Sequence, residues 1–395
     1  MKTIIIGGGA AGFFLAINLK EMVPGMDVTI IERSQHLLNK VSLSGGGRCN
    51  CTNTFQSVED LKNVYPRGHR LMKRLFRTFG PQEAREWFEA HGVRLTAEPD
   101  GRIFPATQQA QTIVDCLLTA AARLGVHIRC GEKIAGLDTL GDYDYVCVTT
   151  GGQPYVTGLL KWLADAGHAI EKPVPSLLSL SIDGHSSNLQ NMMGVATEHA
   201  SVMLPGTKFR TDGALLITHW GFSGPAILKL SSFAARHLAE CKYHATISIN
   251  WMGQNDDTVH SLLRETAANN PKKQLANAVP QGLSSRLWSY LVWRSLGEAG
   301  GLCSDLHGKR LNKLVNTICN DIYSVNGQGP YKDEFVTCGG ISLTSVNPAT
   351  LESRVMPRLY FAGEVLDVDG ITGGFNFQAA WTTAYTVAKA ICNKN

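Results

Sequence analysis

Three glycines near the amino terminus have the spacing of a phosphate-binding turn. Gly7, Gly9 and Gly12 follow the apolar run 3–6 and precede a helical pattern over 13–20. In such a GxGxxG pattern the first glycine permits a tight turn, the second lets the backbone approach a pyrophosphate, and the third lets the helix pack closely on the strand. The amino terminus of the helix would add free N–H groups and a partial positive charge. The pattern indicates the binding of a dinucleotide.

An acidic residue strengthens that interpretation. Glu32 ends a second apolar run, 27–31, and stands twenty residues after Gly12. A carboxylate at this place binds the ribose hydroxyls of a dinucleotide and argues against a 2′-phosphate, which would need a basic residue. The alternative is the glycine turn of an ordinary βαβ unit with an exposed glutamate. We consider it the weaker hypothesis because strand, spacing and acid agree.

The segment 40–53 is the second glycine-rich stretch. It is too rich in glycine for a regular element and is predicted to be a loop whose backbone passes close to a ligand. Its successive N–H groups, together with Lys40 and Arg48, would form a site for an anion.

Two further segments are expected at the same ligand. Apolar strands end at 150–152, Thr-Gly-Gly, and at 363–364, Gly-Glu. Ligands of open α/β sheets bind at such carboxyl ends. Gly373 and Gly374 precede a helix that runs through residue 390, and free N–H groups at its start would stabilise the negative charge of a reduced flavin ring.

His219 is the most attractive proton carrier of the chain. It lies in the segment 218–225, between a predicted strand and a predicted helix, with Ser223 expected to cap that helix and Pro225 in its first turn. An imidazole titrates near neutral pH and suits a general acid or base. The ordinary alternative, a histidine satisfied by a neighbouring carbonyl, is the more common case for such a position.

The remaining elements follow from periodicity. A hairpin is predicted over 93–104, closed by an Asp-Gly turn, and is followed by a helix over 107–124 and strands at 126–129 and 145–148. The middle of the chain has a different pattern, in which strands come first and helices follow. Its predicted strands are 174–182, 201–204, 215–218 and 243–251, and helices fill 258–320 with breaks at Pro271 and Pro280.

Residues 61–91 are predicted to be helical and carry a basic cluster. Its members are Arg67, Arg70, Lys73, Arg74 and Arg77. A solvated helix face is the preferred interpretation, and an anion or nucleic-acid site is the alternative. The net charge of +4 over 395 residues is mild and gives no argument for a dedicated nucleic-acid binder.

Composition narrows the class of protein. With 44% hydrophobic and 18% charged residues, the chain is expected to form two or three domains with large cores. Since no run of about 18 apolar residues occurs and Met1 directly precedes a core strand, we expect a cytoplasmic protein without membrane spans. The ten cysteines form no CxxC pair and no Cys/His ligand spacing, which favours a reducing compartment and no metal site.

Together these stretches resemble the YhiN-like bacterial FAD-binding proteins, also called the aminoacetone oxidase family. The similarity rests on residues 7–12 with Glu32, SGGGRCNCTN within 40–53, THWGFSGP at 218–225, VTCGGIS at 336–342 and LYFAGEVLDVDGITGGFNFQ at 359–378. It implies an α/β fold: a Rossmann-like FAD domain of the glutathione-reductase type with an inserted β-barrel-like domain and a small helical domain. The implied boundaries are 1–171 with 337–395, 172–255 with 321–336, and 256–320.

The resemblance also implies a set of residues at FAD. The pyrophosphate would lie at Gly7, Gly9 and Gly12, the adenosine ribose at Glu32, the ribitol at Glu364, and the isoalloxazine ring at 373–376. The full expected set is Gly7, Gly9, Ala10, Ala11, Gly12, Glu32, Arg33, Lys40, Ser44, Gly45, Gly46, Arg48, Cys49, Asn50, Thr150, Gly151, Gly152, Gly363, Glu364, Gly373, Gly374, Phe375 and Asn376. The chain departs from the family at 155–159, where a usually longer stretch is short.

An FAD-dependent oxidoreductase is therefore expected, in which hydride passes between a small organic substrate and flavin N5. His219 and Arg48 are the candidates for proton handling or anion binding, and NAD(P)H is a possible transient electron donor. The family includes proteins proposed to oxidise aminoacetone and others proposed to reduce enone-type bile-acid intermediates, so oxidase and reductase both stay open.

Two alternatives remain at this stage. One is a flavin-linked thiol/disulfide reductase that uses Cys49 and Cys51, although a single intervening residue would give a strained disulfide. The other is a flavin-carrying protein that binds RNA or another partner through the basic segment 67–77.

Overall fold

The computed structural model describes residues 1–153, 155–156, 158–183, 187–297, 300–330 and 336–394. The chain forms two compact units. The first comprises Met1–Pro175 and Asp333–Asn395, and the second comprises Ser176–Lys332. The division into three domains, with 256–320 separate, stays a prediction. Within the described ranges, no helix has the length and apolar character needed to cross a membrane.

The amino-terminal part of the first unit alternates strands and helices. Its elements are β1 (Lys2–Ile6), α1 (Ala10–Met22), β2 (Asp27–Glu32), α2 (Asn39–Gly47), β3 (Thr52–Asn53), α3 (His69–Leu75), α4 (Pro81–Ala90), β4 (Leu95–Ala97), β5 (Arg102–Pro105), α5 (Gln111–Arg123), β6 (His127–Cys130), β7 (Tyr145–Val148), α6 (Gly158–Asp165) and β8 (Ile170–Ser176). Strands β1, β2, β6 and β7 pair in parallel. The predicted hairpin is confirmed as the antiparallel pair β4 and β5, with β3 beside β5.

The second unit contains a closed barrel and helices. Its elements are β9 (Leu180–Ile182), α7 (Ser187–Gln190), β10 (Ala196–Met203), β11 (Arg210–Ile217), β12 (Gly221–Ser223), α8 (Pro225–Phe233), α9 (Ala235–Glu240), β13 (Ala245–Asn250), α10 (Asp256–Asn269), α11 (Ser285–Leu296), α12 (Gly308–Cys319) and β14 (Asp321–Gln328). The six strands close in the order β10-β11-β12-β9-β14-β13. This barrel confirms the predicted barrel-like insert.

The chain then returns to the first unit with β15 (Val336–Ile341), β16 (Leu359–Phe361) and α13 (Phe375–Cys392). Strand β16 pairs in parallel with β7 and completes a five-stranded sheet in the order β16-β7-β1-β2-β6. Helix α13 packs on α1, where Phe14 and Trp381 are in ring contact at 5.1 Å. The two ends of the chain therefore build one α/β core.

Three local predictions are wrong. Residues 40–43 of the predicted loop 40–53 are helical, because α2 begins at Asn39 and breaks only at Ser44, whose ψ is 151°. The predicted strand 174–182 is divided by Leu177, with φ 55°, and β8 pairs with β15 instead of joining the barrel. Gly224 precedes α8 in place of Ser223 as its cap, and the Ser223 hydroxyl accepts a hydrogen bond from Ser179.

Candidate functional site

The turn between β1 and α1 gives its three glycines different surroundings. Gly7 has φ 119°, and a Cβ on it would lie 2.4 Å from the carbonyl oxygen of Thr149. A Cβ on Gly12 would lie 2.0 Å from the carbonyl oxygen of Gly7. A Cβ on Gly9 would meet no described atom within 4 Å. The first and third glycines are thus required by packing, while the second faces open space in front of the α1 amino terminus.

Glu32 ends β2 beside this turn. Its Oε2 accepts a hydrogen bond from the Gly8 N–H at 2.8 Å, and its Oε1 accepts one from the Ser34 N–H at 2.9 Å. A carboxylate oxygen can accept more than one hydrogen bond, so both oxygens can still accept ribose hydroxyls. Arg33 next to it is exposed.

The segment after β7 carries an unsatisfied polar group. The Thr150 hydroxyl oxygen is buried and has no hydrogen-bond partner among the described residues. Gly151 follows in the left-handed region with φ 71°, and a Cβ on Gly152 would lie 2.2 Å from Oγ1 of Thr337. A buried hydroxyl without a partner at the carboxyl end of a sheet strand is suited to a ligand that completes its hydrogen bonding.

Glu364, which follows β16, forms an ion pair with Lys40 of α2. The Nζ to Oε2 distance is 2.6 Å, and Oε1 accepts a hydrogen bond from the Thr337 N–H at 2.8 Å. Burial acts to raise the pKa of the Glu364 carboxyl. The Lys40 charge and the N–H groups of Thr337 and Gly152 outweigh it and hold that pKa below its usual range. The carboxylate is therefore ionised at neutral pH.

The glycine-rich segment is bound to the amino terminus of α13. With its amide oriented for both bonds, Asn50 accepts from the Gly374 N–H at 3.0 Å and donates to the Thr52 carbonyl at 3.0 Å. Asn53 donates to the Gly373 carbonyl at 3.0 Å. We call these contacts between 50–53 and 373–374 the clasp. It joins two motifs that lie more than 300 residues apart in the sequence.

Two residues that were expected to face a flavin ring have structural roles through their side chains. The Phe375 ring is 5% exposed and packs against Phe55 and Tyr65, with centroid distances of 5.1 and 6.0 Å. The Asn376 amide accepts from the Gly370 N–H at 2.8 Å and donates to the Gly370 carbonyl at 2.9 Å. Both side chains are therefore engaged within the protein.

An ion pair that the sequence does not reveal supports the same loop. Arg67 donates from two nitrogens to Asp369, whose side chain is fully buried. The prediction of a solvated face is thus wrong for Arg67, whose side chain is 11% exposed. The two residues are 302 positions apart, so periodicity alone contains no signal for this pair. The sequence offers one hint of this pair, the acidic stretch Asp-Val-Asp-Gly at 367–370, which contains Asp369.

The model of the family described as HI0933-like protein Rossmann domain matches residues 1–390. The chain belongs to this family. Ribosomal RNA dihydrouridine synthase of Escherichia coli (strain K12) is 30% identical over 412 residues, which cover 98% of this chain and 96% of that protein. 3-dehydro-bile acid delta(4,6)-reductase of Clostridium scindens is 26% identical, over 99% and 98% of the two chains.

Among solved structures, 3-ketosteroid delta1-dehydrogenase from Sterolibacterium denitrificans aligns at 12% identity with a TM-score of 0.47, over 100% of this chain and 99% of that one. Membership of the HI0933-like family makes this chain an FAD-dependent oxidoreductase. The residues present fit FAD. The open space at Gly9 suits its pyrophosphate, and the unpaired Thr150 hydroxyl lies at the sheet edge where such a ligand binds.

The candidates for chemistry in this HI0933-like chain lie in separate units. Arg48 belongs to the first unit, where its guanidinium is 2.8 Å from Oε1 of Glu98 and 4.1 Å from the centroid of the Phe104 ring. His219 belongs to the second unit, where it is exposed between β11 and β12 and contacts the Trp220 ring. In the short stretch 155–159, Tyr155 is exposed and Thr157 lies outside the described residues.

The thiols Cys49 and Cys51 are fully buried and not joined in a disulfide. Burial raises the pKa of Cys49 to about 12, and burial together with neighbouring thiols raises the pKa of Cys51 well above its usual value. Disulfide exchange needs a thiolate with a low pKa and access to its partner. The structure therefore argues against the thiol/disulfide alternative.

Proposed function

We propose that this HI0933-like protein reduces a carbon–carbon double bond conjugated to a carbonyl, and that its substrate is a uridine in RNA. The full-length relatives support the reaction class. Dihydrouridine is uridine with two hydrogens added to C5 and C6, a double bond conjugated to the C4 carbonyl. In a 3-oxo steroid, double bonds at positions 4 and 6 are likewise conjugated to the C3 carbonyl. The two relatives' names thus describe one type of reduction.

The reaction class fits a flavoprotein. When bound, FAD supplies a hydride from N5 of its reduced form. The carbon β to the carbonyl would receive that hydride, which leaves the cofactor oxidised, and the α carbon would receive a proton. We propose NAD(P)H as the transient donor that restores reduced flavin. His219 and Arg48 remain the candidates for supplying the proton or holding an anionic substrate group.

The residues of the first unit have binding and orienting roles in this proposal. The open backbone at Gly9 and the start of α1 would hold the pyrophosphate, and Glu32 would hold the ribose hydroxyls. The clasp fixes the start of α13, whose partial positive charge favours negative charge on a reduced ring. The glycine turn, where space is left at Gly9 and not at Gly7 or Gly12, supports the binding of FAD, and the two full-length relatives carry the reaction class.

Stopped-flow spectroscopy tests the proposal. The purified protein with FAD is reduced without oxygen and mixed with air, with a uridine-containing ribosomal RNA fragment, or with a conjugated 3-oxo steroid. A reductase of RNA is reoxidised slowly by air and rapidly by RNA, and mass spectrometry of the RNA shows two added hydrogens. Fast reoxidation by air would identify an oxidase. Fast reaction with the steroid alone would identify a reductase of small enones and reject uridine as the substrate.

A further inference from the structure

Helix α3 and the turn after it present a row of cations to solvent. Four basic side chains are exposed here, while Leu71, Met72 and Leu75 of the same segment are buried. We call these four residues the basic face; they are Arg70, Lys73, Arg74 and Arg77. The helix is thus divided into an apolar side that packs on the first unit and a cationic side that faces water.

The four cations of the basic face have no counter-charge among the described residues. Among the described residues, Arg70, Arg74 and Arg77 make no ion pair and no side-chain hydrogen bond. Lys73 makes no ion pair either, and its charge only helps to lower the pKa of Asp60, which is paired with Lys62. Elsewhere in the unit, Arg85, Arg129 and Lys161 are paired with Glu89, Glu132 and Asp165, whereas exposed Arg123 and Lys133 make no ion pair among the described residues. The basic face differs in placing four unpaired cations within residues 70–77. Unpaired positive charges this close together repel one another and attract a polyanion.

The surface beside these cations is concave. Arg74 and Arg77, with Leu75, Thr78 and Ala349, line a recess of about 450 Å³. Two arginines therefore line the recess beside Leu75, Thr78 and Ala349. Guanidinium groups bind phosphate oxygens in bidentate geometry, so this lining suits phosphate groups.

The basic face is attached to the loop that leads into the proposed ring site. Gly68, the residue before α3, has φ 75°, and a Cβ on it would lie 2.6 Å from Cγ2 of Val368. Arg67 is paired with buried Asp369, and the Tyr65 hydroxyl donates to the Phe375 carbonyl at 2.8 Å. Each contact holds the α3 region against residues 368–375, so a polyanion on the basic face is bound next to the loop that ends at α13.

We propose that the basic face binds the phosphate backbone of the RNA substrate while the target base is presented to the flavin. The inference rests on the proposed function, since it assumes that RNA is the substrate. Phosphate contacts of this kind position a nucleic acid without reading its sequence. Selection of one uridine then belongs to other parts of the protein, and the basic face supplies affinity and orientation.

The test uses two variants of the full-length protein with FAD that lose the same net charge. The basic-face variant carries Arg70→Gln, Lys73→Gln, Arg74→Gln and Arg77→Gln. The control variant carries four substitutions at exposed cations of the same unit: Arg123→Gln, Arg129→Gln, Lys133→Gln and Lys161→Gln. Retained FAD and thermal unfolding establish that both variants fold.

Affinity is measured by fluorescence anisotropy with a labelled ribosomal RNA fragment at several salt concentrations. Loss of four phosphate contacts makes the slope of log K against log salt about 3 less steep, and affinity at low salt falls roughly 10-fold or more. The control variant stays within about twofold of the unmodified protein. Equal losses in both variants, or an unchanged slope in the basic-face variant, would overturn the inference.

Failure of the inference is separable from failure of the proposed function. If the unmodified protein reduces uridine in RNA while the basic-face variant binds RNA with full affinity, the function stands and the surface is wrong. If the unmodified protein binds RNA through the basic face without reducing it, the surface stands and the reaction is wrong.

Discussion

The substitution Gly9→Ala is expected to separate cofactor binding from folding. Gly9 has φ −93° and ψ −166°, a conformation that alanine adopts without strain. Its added Cβ would meet no described atom within 4 Å. If FAD binds as proposed, that methyl group occupies the space of the pyrophosphate, and only the complex with FAD is affected.

The magnitude follows from these two observations. Alanine in place of glycine before a helix costs up to about 1 kcal/mol, and the stiffer unfolded chain returns about 0.4–1 kcal/mol, so the free energy of unfolding without FAD changes little. One extra methyl in a packed contact costs about 1–3 kcal/mol. At 1.4 kcal/mol per tenfold, the dissociation constant for FAD rises roughly 5- to 150-fold.

The assay is titration of the protein freed of FAD with the cofactor, followed by quenching of flavin fluorescence, beside denaturant unfolding without FAD. Gly12→Ala is the matched comparison. Its Cβ would lie 2.0 Å from the carbonyl oxygen of Gly7, which is backbone and cannot turn aside. We expect it to destabilise the fold by about 3 kcal/mol or more, with or without FAD. Unchanged FAD affinity in Gly9→Ala would refute the assignment of the pyrophosphate to this turn.

Three further predictions concern groups in the first unit. Arg67→Ala leaves buried Asp369 without its partner and should lower the free energy of unfolding by about 3–5 kcal/mol, and adding Asp369→Asn should restore part of that loss. Denaturant unfolding measures both variants, and a loss below about 1 kcal/mol in Arg67→Ala would contradict the role of the pair. The pKa of the Glu364 carboxyl is lowered from its usual 4.5, so its pair with Lys40 stabilises the fold above pH 4.5, and this stabilisation is lost as the pH falls through the lower folded pKa. Glu364→Gln should remove this part of the acid dependence of the free energy of unfolding. Unfolding at a series of pH values from neutral down measures it, and a profile equal to that of the unmodified protein would contradict the prediction. Cys49, with a pKa raised to about 12, should stay unreactive toward a thiol reagent at about pH 8 until the protein unfolds, whereas rapid native labelling would reopen the thiol/disulfide alternative.

The sequence predicts local features of the site well and distant pairings poorly. The places of Gly7, Gly9, Gly12 and Glu32 around the turn from β1 to α1 and at the end of β2 could be predicted, because they depend on spacing within one βαβ unit, which periodicity reveals. Their roles at FAD stay a prediction. The helical turn at 40–43 was missed, since the glycines that follow it dominate the composition of the segment.

Pairings across the chain needed the structure. Asn50 and Gly374 were each expected at the cofactor, yet their hydrogen bond could not be inferred, because no local pattern connects residues that are 324 positions apart. The same reason applies to Arg67. A helical pattern predicts that its side chain is exposed to solvent, but in the fold it forms an ion pair with Asp369. Periodicity in the sequence therefore does not predict side-chain roles that depend on tertiary packing.

The clasp also has a consequence for biosynthesis. The glycine turn and residues 50–53 are made early, whereas Gly373 and Gly374 are translated only after the whole second unit, residues 176–332. A nascent chain that ends before residue 359 has the phosphate-binding turn but neither the last strand of the sheet nor the helix that closes on residues 50–53. If FAD is held as proposed, its stable capture waits until residues 176–332 have been made, and flavin loading then comes late in the maturation of this enzyme.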